Sequence, residues 1–119
     1  MKAVNEITKF ISNLTWNERI NPNNLGTSFY FDSEYIDPKG IEVLVCESYY
    51  YVLEFDTKTE RYSHGEGDDH QEFRSSDEID SIIHIHKYNE DGERVEYFEP
   101  SEKESQDIVS LLPSLTELN

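Results

Sequence analysis

Ile41-Glu-Val-Leu-Val-Cys46, two intervening residues, then Tyr49-Tyr-Tyr-Val-Leu-Glu-Phe55: these neighbouring runs decide the fold class. Both are dense in β-branched and aromatic residues, the types that fit a pleated, half-buried surface. Upstream, Thr27-Ser-Phe-Tyr-Phe-Asp-Ser-Glu-Tyr-Ile36 has the same character, and Asp37-Pro-Lys-Gly40 places proline and glycine where a turn uses them. The three runs therefore predict an antiparallel meander, in which 27–36 and 41–46 form a hairpin and 49–55 adds the third strand. Cys46, closing the apolar run Val43-Leu-Val-Cys46, is expected to be a buried, inert thiol.

On the N-terminal side, Val4, Ile7, Ile11 and Leu14 recur at helical spacing, which predicts an amphipathic helix over residues 3–15. Asn21-Pro-Asn-Asn-Leu-Gly26 is a cluster of turn formers and reads as a loop. On the C-terminal side the pattern is double. Ser75-Ser-Asp-Glu78 resembles a capping box, and Ile79, Ile82, Ile83 and His86 share a helical face. Yet Ile83, Ile85 and Lys87 also alternate with His84, His86 and Tyr88, and Asn89-Glu-Asp-Gly92 can turn the chain into Arg94-Val-Glu-Tyr-Phe98. We read a short helical turn near 76–81 followed by a hairpin of 82–88 and 93–99. After Pro100, Ser101-Glu-Lys-Glu104 starts a last helix whose Ile108, Leu111 and Leu112 face the sheet. The expected fold is α+β: an N-terminal helix, an antiparallel meander of about five strands and a C-terminal helix, in one domain over 1–119.

Charge narrows the function. Twenty-six Asp and Glu against ten Lys and Arg give a formal charge of −16, a field that repels phosphate and anionic lipid and attracts basic surfaces. Direct binding to nucleic acid or membrane is disfavoured, and solubility needs only a small part of that excess. Eight Tyr, six Phe and one Trp are too many aromatics for a disordered acidic chain, so a packed core is expected. With no signal-peptide pattern, no apolar run of membrane-spanning length and a single cysteine, the expected setting is the cytoplasm, as a monomer.

Several residues resemble chemical machinery. His84-Ile-His86 with Glu90 nearby offers two strand histidines and a carboxylate, and resembles half of the first metal-binding motif of the cupin barrels. The position of that motif's glycine is Glu78, however, and no distal histidine follows, so the pair is expected to be structural, with no metal or other cofactor. His64 and His70, six residues apart across a glycine-rich stretch, lack the ligand spacing of a calcium loop. No nucleophile elbow, phosphate loop or dinucleotide fingerprint occurs, and the chain is not expected to be an enzyme. What remains is acid beside tyrosine. Tyr49, Tyr51 and Tyr62, with Glu66, Asp68, Asp69, Glu72, Asp77, Glu78 and Asp80, form the expected partner-binding set: aromatic anchors and steering carboxylates for a basic protein.

Small size, acidity, an α+β body and the absence of a catalytic motif resemble the immunity proteins that bacteria make against their own polymorphic toxins. Within residues 45–85, Tyr49-Tyr-Tyr-Val-Leu-Glu-Phe55, then Glu60-Arg61, then Ser75-Ser-Asp-Glu-Ile-Asp-Ser-Ile-Ile83 is similar to one such family, which has an aromatic strand, a Glu-Arg pair and an Asp-rich helix start. The resemblance implies a stoichiometric inhibitor that occludes the active site of a basic toxin, often a nuclease. A phage-type nucleic-acid mimic directed at a host DNA- or RNA-binding protein would show the same acidity, and a third reading, a small metal-dependent enzyme, would require bound metal.

Overall fold

The computed structural model describes residues 2–29, 38–63 and 71–118. Helix α1 (Lys2–Ser12) buries Ala3, Val4, Ile7 and Ile11 along one stripe, as the spacing requires. It stops short of the expected residue 15 because Thr15 opens a new helix. The Thr15 hydroxyl accepts the Glu18 N–H at 3.3 Å while the Glu18 carboxylate accepts the Thr15 N–H at 2.9 Å, a reciprocal cap that starts α2 (Trp16–Arg19).

Strands β1 (Leu25–Phe29), β2 (Pro38–Val43), β3 (Tyr49–Ser63), β4 (Gln71–Asn89) and β5 (Arg94–Phe98) lie in one sheet in sequence order, each antiparallel to its neighbours. Helix α3 (Glu102–Val109) follows, capped by Ser101 and Glu104 in the reciprocal pattern the sequence carries. The fold is thus an α+β meander preceded by α1 and the short α2 and followed by α3. Among the described residues no helix is long and apolar enough to cross a membrane.

Two expectations about β2 fail. Pro38, Lys39 and Gly40 belong to the strand rather than to a turn, with Gly40 opposite Glu54 in the ladder; the remainder of the expected turn, and residues 30–36 of the first arm, fall outside the described residues. Proline is tolerated as the first strand residue. Glycine is needed because a Cβ at position 40 would lie 2.7 Å from Val52 Cγ1 and 3.3 Å from the Leu53 carbonyl oxygen. Gly40→Ala should therefore cost about 1–3 kcal/mol through overpacking against a stiff, buried valine. A urea midpoint within error of wild type would refute this. At its other end β2 stops at Val43, leaving Cys46 in the β2–β3 connection, exposed, with Sγ 3.7 Å from the Tyr49 carbonyl. Rapid labelling by a thiol reagent without denaturant is now the expected result.

The helical turn expected near 76–81 is absent, since β4 runs through it as strand. The ambiguity has a structural source. Thr57, Phe55 and Leu53 of β3, two residues apart, face Ile79, Ile82 and Ile85 of β4, three residues apart. Shifts of register between Asp56 and Thr57 and between Glu54 and Phe55 each insert one extra β4 residue, Asp80 and Ile83. Two bulges thus give a strand a helix's apolar spacing, and all three isoleucines reach the core.

That core lies on one face of the sheet. Ala3, Val4, Ile7 and Ile11 of α1 and Ile108 of α3 pack with Ile41, Val43, Tyr51, Leu53, Phe55, Ile79, Ile82 and Ile85. The Arg19 guanidinium donates to the Leu111 carbonyl at 3.1 Å and ties the two ends of the chain together. On the N-terminal side of Ile85, β4 has no β5 partner, and over residues 77–82 the C-terminal segment supplies bonds in its place. Ile82 N–H donates to buried Ser105 Oγ at 2.8 Å, Gln106 donates to the Asp80 carbonyl at 3.1 Å, and Leu115 N–H donates to the Asp77 carbonyl at 2.8 Å. Over this stretch the β4 edge is capped by the chain itself.

Candidate functional site on the uncovered face of the sheet

The sheet's other face carries no helix among the described residues. Because paired residues share a face, the register gathers Glu42, Tyr50, Val52 and Glu54 of β2 and β3 with His84, His86 and Tyr88 of β4 and with Tyr97 and Arg94 of β5. Aromatic side chains roof this surface. Tyr50 stacks on Tyr88 with ring centroids 5.4 Å apart and an 11° interplanar angle, and Tyr97 packs against His84 at 4.8 Å and His86 at 5.2 Å. Beneath them Val52 is buried and His86 is only 5% exposed, while Tyr97 remains 51% and Val95 52% exposed.

At the centre, one carboxylate holds two imidazoles. Glu54 Oε2 lies 3.2 Å from His84 Nδ1 and Glu54 Oε1 lies 3.2 Å from His86 Nε2. The Arg94 Nη1 group sits 3.5 Å from His86 Nδ1, and a guanidinium can only donate. His86 Nδ1 therefore accepts, which places the ring proton on Nε2, aimed at Glu54. Burial pushes the Glu54 carboxyl up, but the hydrogen bonds and charges of His84 and His86 outweigh it and hold Glu54 below the usual carboxylate range. Burial raises Glu42 at the margin, and burial, then Glu42 and Tyr88, raise the Tyr50 phenol.

No protein-family model, curated protein or solved structure matches this chain. Its chemistry has to be read from the site itself.

Among the described side chains of the expected partner-binding set, Tyr49, Tyr51, Asp77, Glu78 and Asp80 do not share one surface. Tyr51 is a correction: it is 2% exposed in the helix-covered core, because its strand phase is that of Leu53 and Phe55. Tyr49, of the same phase, is half-buried, and its hydroxyl donates to Glu6 of α1 at 2.5 Å. Asp77, Glu78 and Asp80 are exposed, but on a strand instead of a helix start. The Asp77 carboxylate accepts from the Thr116 hydroxyl and so fastens the C-terminal segment, and Glu78 pairs with Lys58 at 3.1 Å. Tyr62 and Glu72 are register partners where β3 and β4 run on together. Glu66, Asp68 and Asp69, with His64 and His70, lie outside the described residues. Glu90, the carboxylate first considered beside His84 and His86, is exposed in the β4–β5 turn.

Sequence reasoning missed Glu54, Tyr50 and Tyr97. A signal for the first two exists: in Tyr49-Tyr-Tyr-Val-Leu-Glu-Phe55 the bulky apolar Leu53 and Phe55 fix the odd phase as core, which sends Tyr50 and Glu54 to the opposite face.

The Glu6 contacts predict an alkaline transition. The hydrogen bond to Glu6, then burial and the Glu6 charge, push Tyr49 up to about 12; burial first, then Glu6 and Tyr49, raise Tyr51. A phenol raised in the folded state contributes stability that is complete below its unfolded value of about 10. That contribution is lost as pH climbs through about 12. Tyrosinate absorbance should show these two phenols ionising last, and Glu6→Gln should bring Tyr49 back toward its ordinary range. Equal titration of all tyrosines in the folded protein would refute this.

Proposed function

We propose that this chain is an immunity-type inhibitor that binds a basic toxin effector one to one and occludes its active site, with the uncovered sheet face as the docking surface. The observation that carries this reading is that face. Exposed Tyr97 and Val95 and the stacked Tyr50–Tyr88 pair supply rigid aromatic and apolar contact area. Glu42 and Asp56 share the face by register, and Glu90, Asp91 and Glu93 stand exposed in the turn beside it. With the chain at −16, the surface fits a cationic partner, and a nuclease cleft that accepts phosphates accepts carboxylates presented at the same spacing.

A second reading draws on charge and shape: the body is elongated, 57 × 30 × 27 Å, which also suits a nucleic-acid mimic acting on a host DNA- or RNA-binding protein. Gene context and co-purification separate the two. The polypeptide encoded directly upstream, disabled for toxicity and co-expressed with this chain, is expected to co-elute with it as a 1:1 complex. An upstream product that neither binds this chain nor is toxic on its own would refute the immunity reading.

A further inference from the structure

We propose that Glu54, His84 and His86 form a binding site for one zinc-class divalent cation on the uncovered face of the sheet. Glu90, the local carboxylate, stands exposed in the turn, and no distal histidine follows; the fold supplies a third ligand from β3 instead, thirty residues away from His84. The three donor atoms lie within 4.8 Å of one another, and each histidine nitrogen already stands 3.2 Å from a Glu54 oxygen. Donors bonded to zinc at about 2.0–2.1 Å in a tetrahedral set sit roughly 3.3 Å apart, close to the 3.2 Å that separates each imidazole from its own Glu54 oxygen, so a small turn of the carboxylate accompanies binding. The two imidazoles also have to close on each other, from within 4.8 Å.

The donor set selects the ion. Two imidazole nitrogens and one carboxylate suit zinc and the late first-row metals, whereas calcium and magnesium take oxygen ligands. The environment supports each ligand differently. His86 is buried and held by Tyr97, so its ring direction is fixed. The His84 and Glu54 side chains retain 26% and 31% exposure, which leaves a route for the ion and an open position for water.

Binding requires a proton rearrangement that leaves the net charge of the ligands unchanged. The N–H protons now directed at Glu54 give way to the metal, and each neutral ring takes the tautomer protonated on its other nitrogen. For His84 that nitrogen is the remaining ring atom, Nε2. For His86 it is Nδ1, which faces the Arg94 guanidinium, so Arg94 must swing aside. Arg94 is exposed and lies over the Tyr97 ring at 5.6 Å, so it is free to move. Arg94 therefore competes with the metal, both as a like charge and as the donor that fixes the opposing tautomer.

The test uses the purified full chain, stripped with chelator and dialysed against zinc, with magnesium as the contrast. One equivalent of zinc should be retained, cobalt should give the intense visible bands of a tetrahedral site, and magnesium should not bind. His84→Ala and Glu54→Gln should weaken zinc by at least about 10-fold, Arg94→Ala should strengthen it by about 10-fold, and His64→Ala/His70→Ala should leave it unchanged. Should the ligand variants fail to fold, the wild-type imidazole proton resonances decide: addition of zinc must move two of the four histidines and leave the other two in place. Zinc that washes away on dialysis overturns the assignment. So does zinc held equally by His84→Ala, or lost with His64→Ala/His70→Ala.

Discussion

Leu53→Ala is expected to remove about 2–5 kcal/mol of stability, enough to leave the protein largely unfolded at modest urea. Leu53 is fully buried on the central strand, opposite Ile41 of β2 and Ile85 of β4, in the cluster that receives both helices. Truncation strips contacts from three strands at once, and β-strands on either side limit how far the site can collapse. The measurement is the urea midpoint with unchanged slope. Val95→Ala is the control, 52% exposed on β5 and expected to shift stability by no more than about 0.5 kcal/mol. Should the two variants cost the same, the core does not lie between the helices and this face.

Tyr97→Ala is expected to weaken binding to the upstream-encoded partner by about 2 kcal/mol or more, roughly 30-fold in Kd, while leaving the fold intact. Tyr97 is the half-exposed aromatic that edge strand β5 lays over the uncovered face, backed by two histidine rings that keep its own ring in place. Reversal of Glu66, Asp68, Asp69 and Glu72 to Lys serves as the comparison. These acids belong to the first expected binding set, and their loss should act on the association rate and its salt dependence, as steering charges do. Surface-based binding across a salt series distinguishes the two effects. A loss of affinity confined to the four-site variant, with Tyr97→Ala unchanged, would move the docking surface away from the sheet face.

The division between what the sequence disclosed and what it concealed follows the range of the interactions. The N-terminal stripe Val4, Ile7, Ile11 and the cap Ser101-Glu-Lys-Glu104 are local signals, complete within one or two turns of chain, and each gave a helix. The meander was legible for the same reason, since consecutive strands pair with consecutive strands. The site was not. Glu54 meets His84 and His86 only through the β3–β4 register, and that ladder carries three register shifts, two of them the bulges at Asp80 and Ile83, that no composition or spacing rule announces. The same bulges made residues 75–83 read as a helix start. Tyr51 was misplaced for a simpler reason: a run of three tyrosines has no intrinsic phase until Leu53 and Phe55 supply one.

The bulged strand also bears on how the molecule folds. Before β4 meets β3, Ser75–Ile85 has a helix-type start and an apolar repeat of three, so its local preference and its final backbone disagree. A short isolated helix is marginal in water, so the competitor is weak. Still, the conflict is one of local frustration, in which the segment's own bias opposes the basin it must enter. β4 is therefore expected to be the poorer seed of the pair. β3, with its aromatic and β-branched run, carries the stronger local preference for strand and is the expected template. The most extensive pairing in the sheet is thus templated from one side, and a substitution that strengthened the helical bias of 75–85 would slow folding without removing a single contact from the finished structure.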